Sequence, residues 1–218
     1  MAGLALAAGL VACTEDDGRP AQVAGGADPA PVVLPGGPEG VAVAPAPTTT
    51  VAPPPSTTTA VPASTIVLPK PAPLPVDARA IEAAVVLGTI EIPRLGLTTD
   101  LNEGLSLNTI DRGPSHWPGT AMPGHVGNVV VAGHRVTKTR PFRHLDRLQA
   151  GDEIIFTVDG TRSVYRVTGT EVVTPDTLRI ADQTPEPVAT LFACHPPGSA
   201  RYRYVVRAAL EGPPAATS

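Results

Sequence analysis

Aromatic residues are scarce in this 218-residue chain, which contains one Trp, three Tyr and three Phe. All of them lie beyond residue 110, so the first half of the chain has no large ring to bury. Cysteine is equally rare, with two in the whole sequence. Two cysteines exclude a disulfide-rich framework and a cysteine-rich zinc site. We therefore interpret Cys194 as a lone thiol.

Charge is sparse and nearly balanced. The formal net charge is −4, and from residue 86 onward 13 basic residues face 13 acidic ones. There is no long basic run with interleaved aromatic residues, which argues against nucleic acid as a partner. No set of side chains with the spacing of metal ligands is evident, so we predict neither a metal nor a cofactor.

The chain begins with an apolar run at residues 1–12, too short for a membrane-spanning helix of ~20 residues. Its length is typical of the apolar region of a signal peptide. The sequence Leu10-Val11-Ala12-Cys13 resembles a lipobox, which makes Cys13 a lipidation candidate. We predict an export signal at residues 1–13 and an extracytoplasmic protein tethered to the membrane at the cell surface. No Lys or Arg precedes the run, so either the sequence omits upstream residues or the run is the tail of a longer signal or of a transmembrane anchor.

A proline-rich segment follows the apolar run. Residues 20–75 hold 15 of the 27 prolines and no aromatic residue. Such a chain of Pro, Ala, Thr and Val cannot offset its ordering entropy by burying a core. We predict a disordered linker over residues 14–85, a globular domain over 86–212 and a short tail over 213–218.

Within the domain, alternating or fully apolar runs predict short strands. A hairpin turn is expected at Asp159-Gly160. Short helices are predicted at 105–112 and 141–148. The predicted strands cover 88–93, 129–132, 153–158, 162–167, 170–173, 188–194 and 202–210. Many short strands with one or two brief helices favour a mainly β domain, a closed or nearly closed antiparallel barrel of seven to eight strands.

Several segments of this domain resemble the sortase family, and specifically its class E type from actinobacteria. The similar segments occur in the family's order and cover about 120 residues. They are residues 90–97, 113–124, 132–135, 190–196 and 203–206. The resemblance implies a sortase-type β-barrel and a cysteine transpeptidase.

The resemblance also implies a catalytic set of Cys194, His134 and Arg203, and each residue type suits its role. A thiolate is the reactive form of cysteine. Histidine titrates near neutral pH and can protonate a leaving amine. Arginine stays charged and can donate hydrogen bonds to a developing oxyanion.

Neighbouring residues offer alternatives for two of these roles. His195 adjoins Cys194, but successive strand residues point to opposite faces, so it is poorly placed as a base. Arg201 shares a face with Arg203 by the same periodicity and is the alternative arginine. The remaining histidines are interpreted as structural or surface residues: His116, His125 and His144.

By the resemblance, the enzyme cleaves an L-A-x-T-G-like sorting signal of secreted proteins between Thr and Gly. An acyl-thioester would form on Cys194, and an amine of the peptidoglycan precursor would resolve it. The chain departs from the family at Ala193, where a Thr is usual, which leaves rate and specificity open. A catalytically weak sortase-like module that binds wall or pilin partners is therefore an alternative. An L,D-transpeptidase is disfavoured, because that family has Ser-His-Gly before its cysteine.

Overall fold

A computed structural model of the protein describes residues 67–215. These residues form a closed barrel of eight strands in the order β1-β2-β3-β4-β7-β8-β6-β5. The strands are β1 (Val85–Ile92), β2 (Leu97–Glu103), β3 (Ser115–His116), β4 (Gly127–Ala132), β5 (Glu153–Val158), β6 (Thr161–Val173), β7 (Pro187–His195) and β8 (Tyr202–Leu210). One short helix, α1 (Leu107–Ile110), and three 3₁₀ turns (Pro93–Leu95, Leu145–Arg147 and Leu178–Ala181) complete the elements of these residues. Across residues 67–215, no helix is both long and apolar enough to cross a membrane.

The closed, mainly β barrel confirms the predicted fold, but it is not antiparallel throughout. Of the eight strand pairings among these residues, β2–β3 and β4–β7 are parallel. A parallel pair requires a long crossover connection. Residues 133–186 provide it for β4 and β7, because they carry the chain around the barrel through the β5–β6 hairpin before β7 begins.

The structure confirms the predicted hairpin turn and changes several other predicted elements. The predicted turn at Asp159-Gly160 joins β5 to β6, and both residues have positive φ (48° and 75°), as a tight hairpin requires. The separate strands predicted at 162–167 and 170–173 are one strand, β6, with a register shift near Gly169. The predicted helix at 141–148 is only the 3₁₀ turn Leu145–Arg147. The strands β2 and β3 were not predicted.

The sheet of β4, β7 and β8 separates two apolar clusters. Side chains on its inner face fill the barrel, among them Val131, Leu191 and Val206. Alternate residues on its outer face form a second cluster with α1, Trp117 and the turn Leu178–Ala181. The outer-face residues are Val130, Ala132, Phe192 and Val205. The sheet therefore has a buried surface on each side.

The segment before β1 contacts the domain, although its composition led us to place it in the linker. The Glu82 carboxylate accepts hydrogen bonds from the backbone N–H groups of Leu105 (3.1 Å) and Ser106 (2.9 Å). The Trp117 indole N–H donates to the carbonyl of Ala72 at 2.8 Å. We call residues 70–82 the strap. The strap thus bonds to the domain ahead of the predicted boundary at residue 86, through polar partners and without a core of its own. The predicted export signal and the linker up to residue 66 lie outside the described residues.

Candidate active site

The strand register brings the three predicted catalytic residues to one end of the outer face. Cys194 and Arg203 are direct partners in the β7–β8 ladder. The β4–β7 register pairs Ala132 with Phe192, and the Gly133 N–H continues it by donating to the Phe192 carbonyl at 3.2 Å. His134 therefore lies level with Cys194. Neighbouring strands are ~4.8 Å apart, so the three residues occupy adjacent positions.

The three side chains are buried, with exposed fractions of 3% for Cys194, 3% for His134 and 2% for Arg203. They continue the outer-face alternation that includes Phe192 and Val205.

His134 is held in a defined tautomer. Its Nε2 lies 2.8 Å from Oδ1 of Asp111, and an ionised carboxylate only accepts hydrogen bonds, so Nε2 carries the proton. Nδ1 is then the nitrogen that accepts when the ring is neutral and donates when it is protonated. It has no hydrogen-bond partner among the residues that the structure describes. The backbone carbonyl of His134 also accepts from Phe142 N–H at 3.1 Å. The ring is thus oriented with one nitrogen available to take a proton.

Asp111 is the residue that sequence reasoning missed. It directly follows α1, and its backbone N–H caps that helix at Leu107. Burial raises the pKa of Asp111, but hydrogen bonds from His134 and Arg79 and the charges of His134 and Lys138 outweigh it and leave the pKa below its ordinary value. The carboxylate is therefore ionised where His134 needs an acceptor. No spacing rule links residues 111 and 134, because only the packing of α1 on the outer face brings them together.

Arg203 is fixed by its own strand. Its Nη1 donates to the carbonyls of Ala200 at 2.9 Å and Tyr202 at 3.0 Å. Burial lowers the pKa of Arg203 to about 10, so the guanidinium is still charged at neutral pH. The alternative, Arg201, is exposed and its guanidinium lies over the Tyr202 ring. The ladder places Arg203, and not Arg201, opposite Cys194.

Two of the other three histidines make contacts that suit the structural interpretation. His116 is buried between Oε2 of Glu103 (2.6 Å from Nδ1) and the carbonyl of Ala121 (3.0 Å from Nε2). His125 makes a local contact with a backbone carbonyl two residues away. His144 precedes the 3₁₀ turn Leu145–Arg147 without a side-chain capping bond. Nowhere between residues 67 and 215 do three or more His, Cys, Asp or Glu side chains gather as metal ligands would.

Ala193 and His195, on either side of Cys194, belong to the opposite face. Ala193 is part of the inner cluster and pairs with Tyr204 in the ladder. Nδ1 of His195 lies 2.7 Å from Nη1 of Arg135. A side chain at position 193 therefore points into the barrel, and the missing threonine hydroxyl would not lie beside Cys194.

Comparison with known proteins identifies the family of this domain. The sortase domain matches residues 90–211. Sortase SrtE1 of Streptomyces coelicolor is 32% identical over 133 residues, which cover 54% of this chain and 38% of SrtE1. This chain thus spans well under half the length of that relative.

Solved structures of sortases share the fold of this domain. A sortase D5 transpeptidase of Clostridium perfringens superposes with a TM-score of 0.54 at 34% identity, covering 58% of this chain and 79% of that one. A sortase C of Clostridium perfringens, whose structure includes the C-terminal cell wall sorting motif, has a TM-score of 0.57 at 26% identity. It covers 61% of this chain and 74% of that one.

Proposed function

Since this chain belongs to the sortase family, we propose that it is a cysteine transpeptidase with Cys194 as nucleophile, His134 as acid and base, and Arg203 as the oxyanion donor. The observation that carries the proposal is the adjacent position of these three residues on one face of β4, β7 and β8. The substrate is a secreted protein with an L-A-x-T-G-like sorting signal. The acceptor is an amine of the peptidoglycan precursor.

In the first half-reaction the reduced Cys194 transfers its proton to Nδ1 of His134. The sulfur then attacks the carbonyl carbon of the signal's threonine. Arg203 donates hydrogen bonds to the oxyanion that forms, a contribution worth roughly 100- to 1000-fold in rate at comparable sites. The C–N bond to glycine breaks, and His134 returns the proton to the leaving amine. The product is an acyl-thioester on Cys194.

In the second half-reaction an acceptor amine attacks the thioester carbon. His134 takes a proton from the attacking nitrogen, and the C–S bond breaks as the new amide bond forms. The proton then returns to the sulfur or stays on the imidazole. Nε2 of His134 remains bound to Asp111 (2.8 Å) through both steps, so the ring gains and loses its proton at Nδ1 only.

We also propose, from the predicted export signal at residues 1–13, a location outside the cytoplasm with Cys13 or a transmembrane segment as the anchor. Such a location would place the enzyme beside secreted substrates and the cell-wall precursor. Metabolic labelling with a radioactive fatty acid tests the lipid anchor. Label on the wild type but not on Cys13→Ala would support it, and equal labelling of both would contradict it.

The function is tested by incubating the reduced full chain with a labelled L-A-x-T-G peptide and an amine acceptor. We expect the free glycine-containing product, the transferred product and, by mass spectrometry, a thioester on the peptide that contains Cys194. Cys194→Ala removes the nucleophile and Cys13→Ala is the matched control. The proposal fails if Cys194→Ala retains wild-type turnover, or if the wild type binds the peptide tightly without cleaving it. The latter result would identify a binding module.

A further inference from the structure

Each of the three proposed catalytic residues is followed directly by a residue of a second cluster on the other side of the sheet. Arg135 follows His134, His195 follows Cys194, and Tyr204 follows Arg203. Arg135 Nη1 lies 2.7 Å from Nδ1 of His195. The Arg135 guanidinium carbon lies 5.7 Å from the centre of the Tyr204 ring, and the His195 and Tyr204 ring centres are 5.6 Å apart. We call these three residues and Asp146 the inner-face cluster.

This cluster lies where the backbone pairing of β4 and β7 ends. β4 stops at Ala132, and just beyond it the Gly133 N–H donates to the Phe192 carbonyl of β7 at 3.2 Å. β7 continues to His195. The backbone of His134 is bound to Phe142 instead of to β7. The side-chain bond from Arg135 to His195 therefore joins the segment after β4 to the end of β7, one residue beyond His134 and Cys194.

The charges of the cluster favour this bond. Arg135 is 1% exposed, and its Nη2 pairs with Oδ1 of Asp146 at 2.8 Å. An arginine only donates, so Nδ1 of His195 must be unprotonated to accept. Burial and the charge of Arg135 lower the pKa of His195, and the opposing effect of Asp146 is smaller. His195 is thus held neutral, in the form that accepts the bond.

We propose that Arg135 is a positioning residue for the transpeptidase reaction, because it ties His195 to the segment that carries His134 and so sets the separation of His134 from Cys194. The proposal rests on the proposed function. The guanidinium binds His195 through Nη1 and Asp146 through Nη2. A lysine has one nitrogen on a flexible stem and cannot reproduce that fork.

The test compares three variants of the reduced full chain. Arg135→Met keeps most of the aliphatic part of the side chain but removes the guanidinium, and Arg135→Lys keeps the charge. Arg143→Met is the matched control, because Arg143 is an exposed arginine of the same segment. For each we would measure kcat and KM with the labelled peptide, the melting temperature, and the alkylation rate of the peptide that contains Cys194 with iodoacetamide.

We expect Arg135→Met to lower kcat about 10- to 100-fold, as a displacement of about 1 Å does, with KM changed less than about twofold. Alkylation of Cys194 should slow about tenfold. The imidazole of His134, which becomes the cation beside the thiolate when it takes the proton of Cys194, would no longer be held close to the sulfur. Arg135→Lys should restore only part of either rate, and Arg143→Met should match the wild type.

The proposal is overturned if a folded Arg135→Met variant keeps the wild-type kcat and alkylation rate. It is also overturned if the fraction of each rate that is lost equals the fraction of unfolded protein in the variant's melting curve. Should that variant not fold, wild-type rates in Arg135→Lys would overturn the proposal just as well. If the wild-type protein does not cleave the peptide, the proposed function fails. The alkylation rates, which need no substrate, then decide the role of Arg135 by themselves.

Discussion

Asp111→Ala tests whether the carboxylate beside His134 serves catalysis. The substitution removes the acceptor that lies 2.8 Å from Nε2 of His134. A hydrogen bond to a charged group contributes about 1.5–3 kcal/mol. At about 1.4 kcal/mol for each factor of ten, the loss corresponds to roughly a 10- to 150-fold fall in kcat if the bond is needed in the transition state. The side chain is 20% exposed, so water can replace part of the bond and the lower half of that range is expected.

The other two partners of Asp111 provide the controls. Arg79 lies 3.4 Å and Lys138 3.6 Å from Oδ2, and both side chains are about half exposed. Exposed ion pairs contribute at most about 1 kcal/mol. Arg79→Ala and Lys138→Ala should therefore lower kcat less than about fivefold. Asp111→Asn keeps an acceptor oxygen without the charge, so its kcat should lie between those of the wild type and Asp111→Ala.

The assay is steady-state cleavage of the labelled peptide by the reduced enzyme, with the thermal melting curve recorded for each variant. The reasoning is refuted if Asp111→Ala keeps kcat within about twofold of the wild type. It is equally refuted if Lys138→Ala loses as much as Asp111→Ala, because the effect would then be one of general charge. An increase in KM with unchanged kcat would assign Asp111 to substrate binding instead.

Three further predictions concern the support of the site. A methyl group on Gly133 would lie 2.5 Å from the Phe142 ring. Gly133→Ala should therefore lower the free energy of unfolding by about 1–3 kcal/mol in urea, whereas Gly169→Ala, with open space around it, should not. Burial raises the pKa of Glu82, but its hydrogen bonds from Thr109, Ser106 and Leu105 lower it more. The ionised Glu82 carboxylate therefore stabilises the fold fully above pH 4.5, and this stabilisation disappears as the pH falls through the lowered pKa. The difference in melting temperature between the wild type and Glu82→Gln should accordingly vanish in acid. A difference that does not change with pH would contradict this. Arg203→Lys should lower kcat about 100-fold with little change in peptide affinity, and kcat equal to wild type would exclude Arg203 as the oxyanion donor.

Strong local signals made much of the fold predictable. The buried run at 129–132, the Asp159-Gly160 turn and the last strand at 202–210 each depend on a few neighbouring residues, and each matches the structure closely. β3 has only two residues, and a pair that short has no readable periodicity. The parallel pairing of β4 with β7 could not be predicted either, because it depends on the path of residues 133–186 around the barrel.

The candidate site likewise contains residues that the sequence predicts and residues that it does not. Cys194, His134 and Arg203 stand in recognisable segments, and the ladder brings them level. Asp111 and Asp146 carry no such signal, since their contacts with His134 and Arg135 come from short turns packed on opposite faces of the sheet. Sequence patterns identify residues on regular strands, while the groups that orient those residues come from tertiary packing.

The strap has a practical consequence for anyone who expresses this domain. A recombinant fragment cut at residue 86, where the composition changes, would lack the Glu82 carboxylate that holds the start of α1. It would also lack the carbonyl of Ala72 that receives the Trp117 indole. Asp111 sits at the other end of α1, so such a fragment could fold and yet carry a misaligned histidine. A start before residue 70 keeps the strap, and an inactive shorter fragment should not be taken as an inactive enzyme.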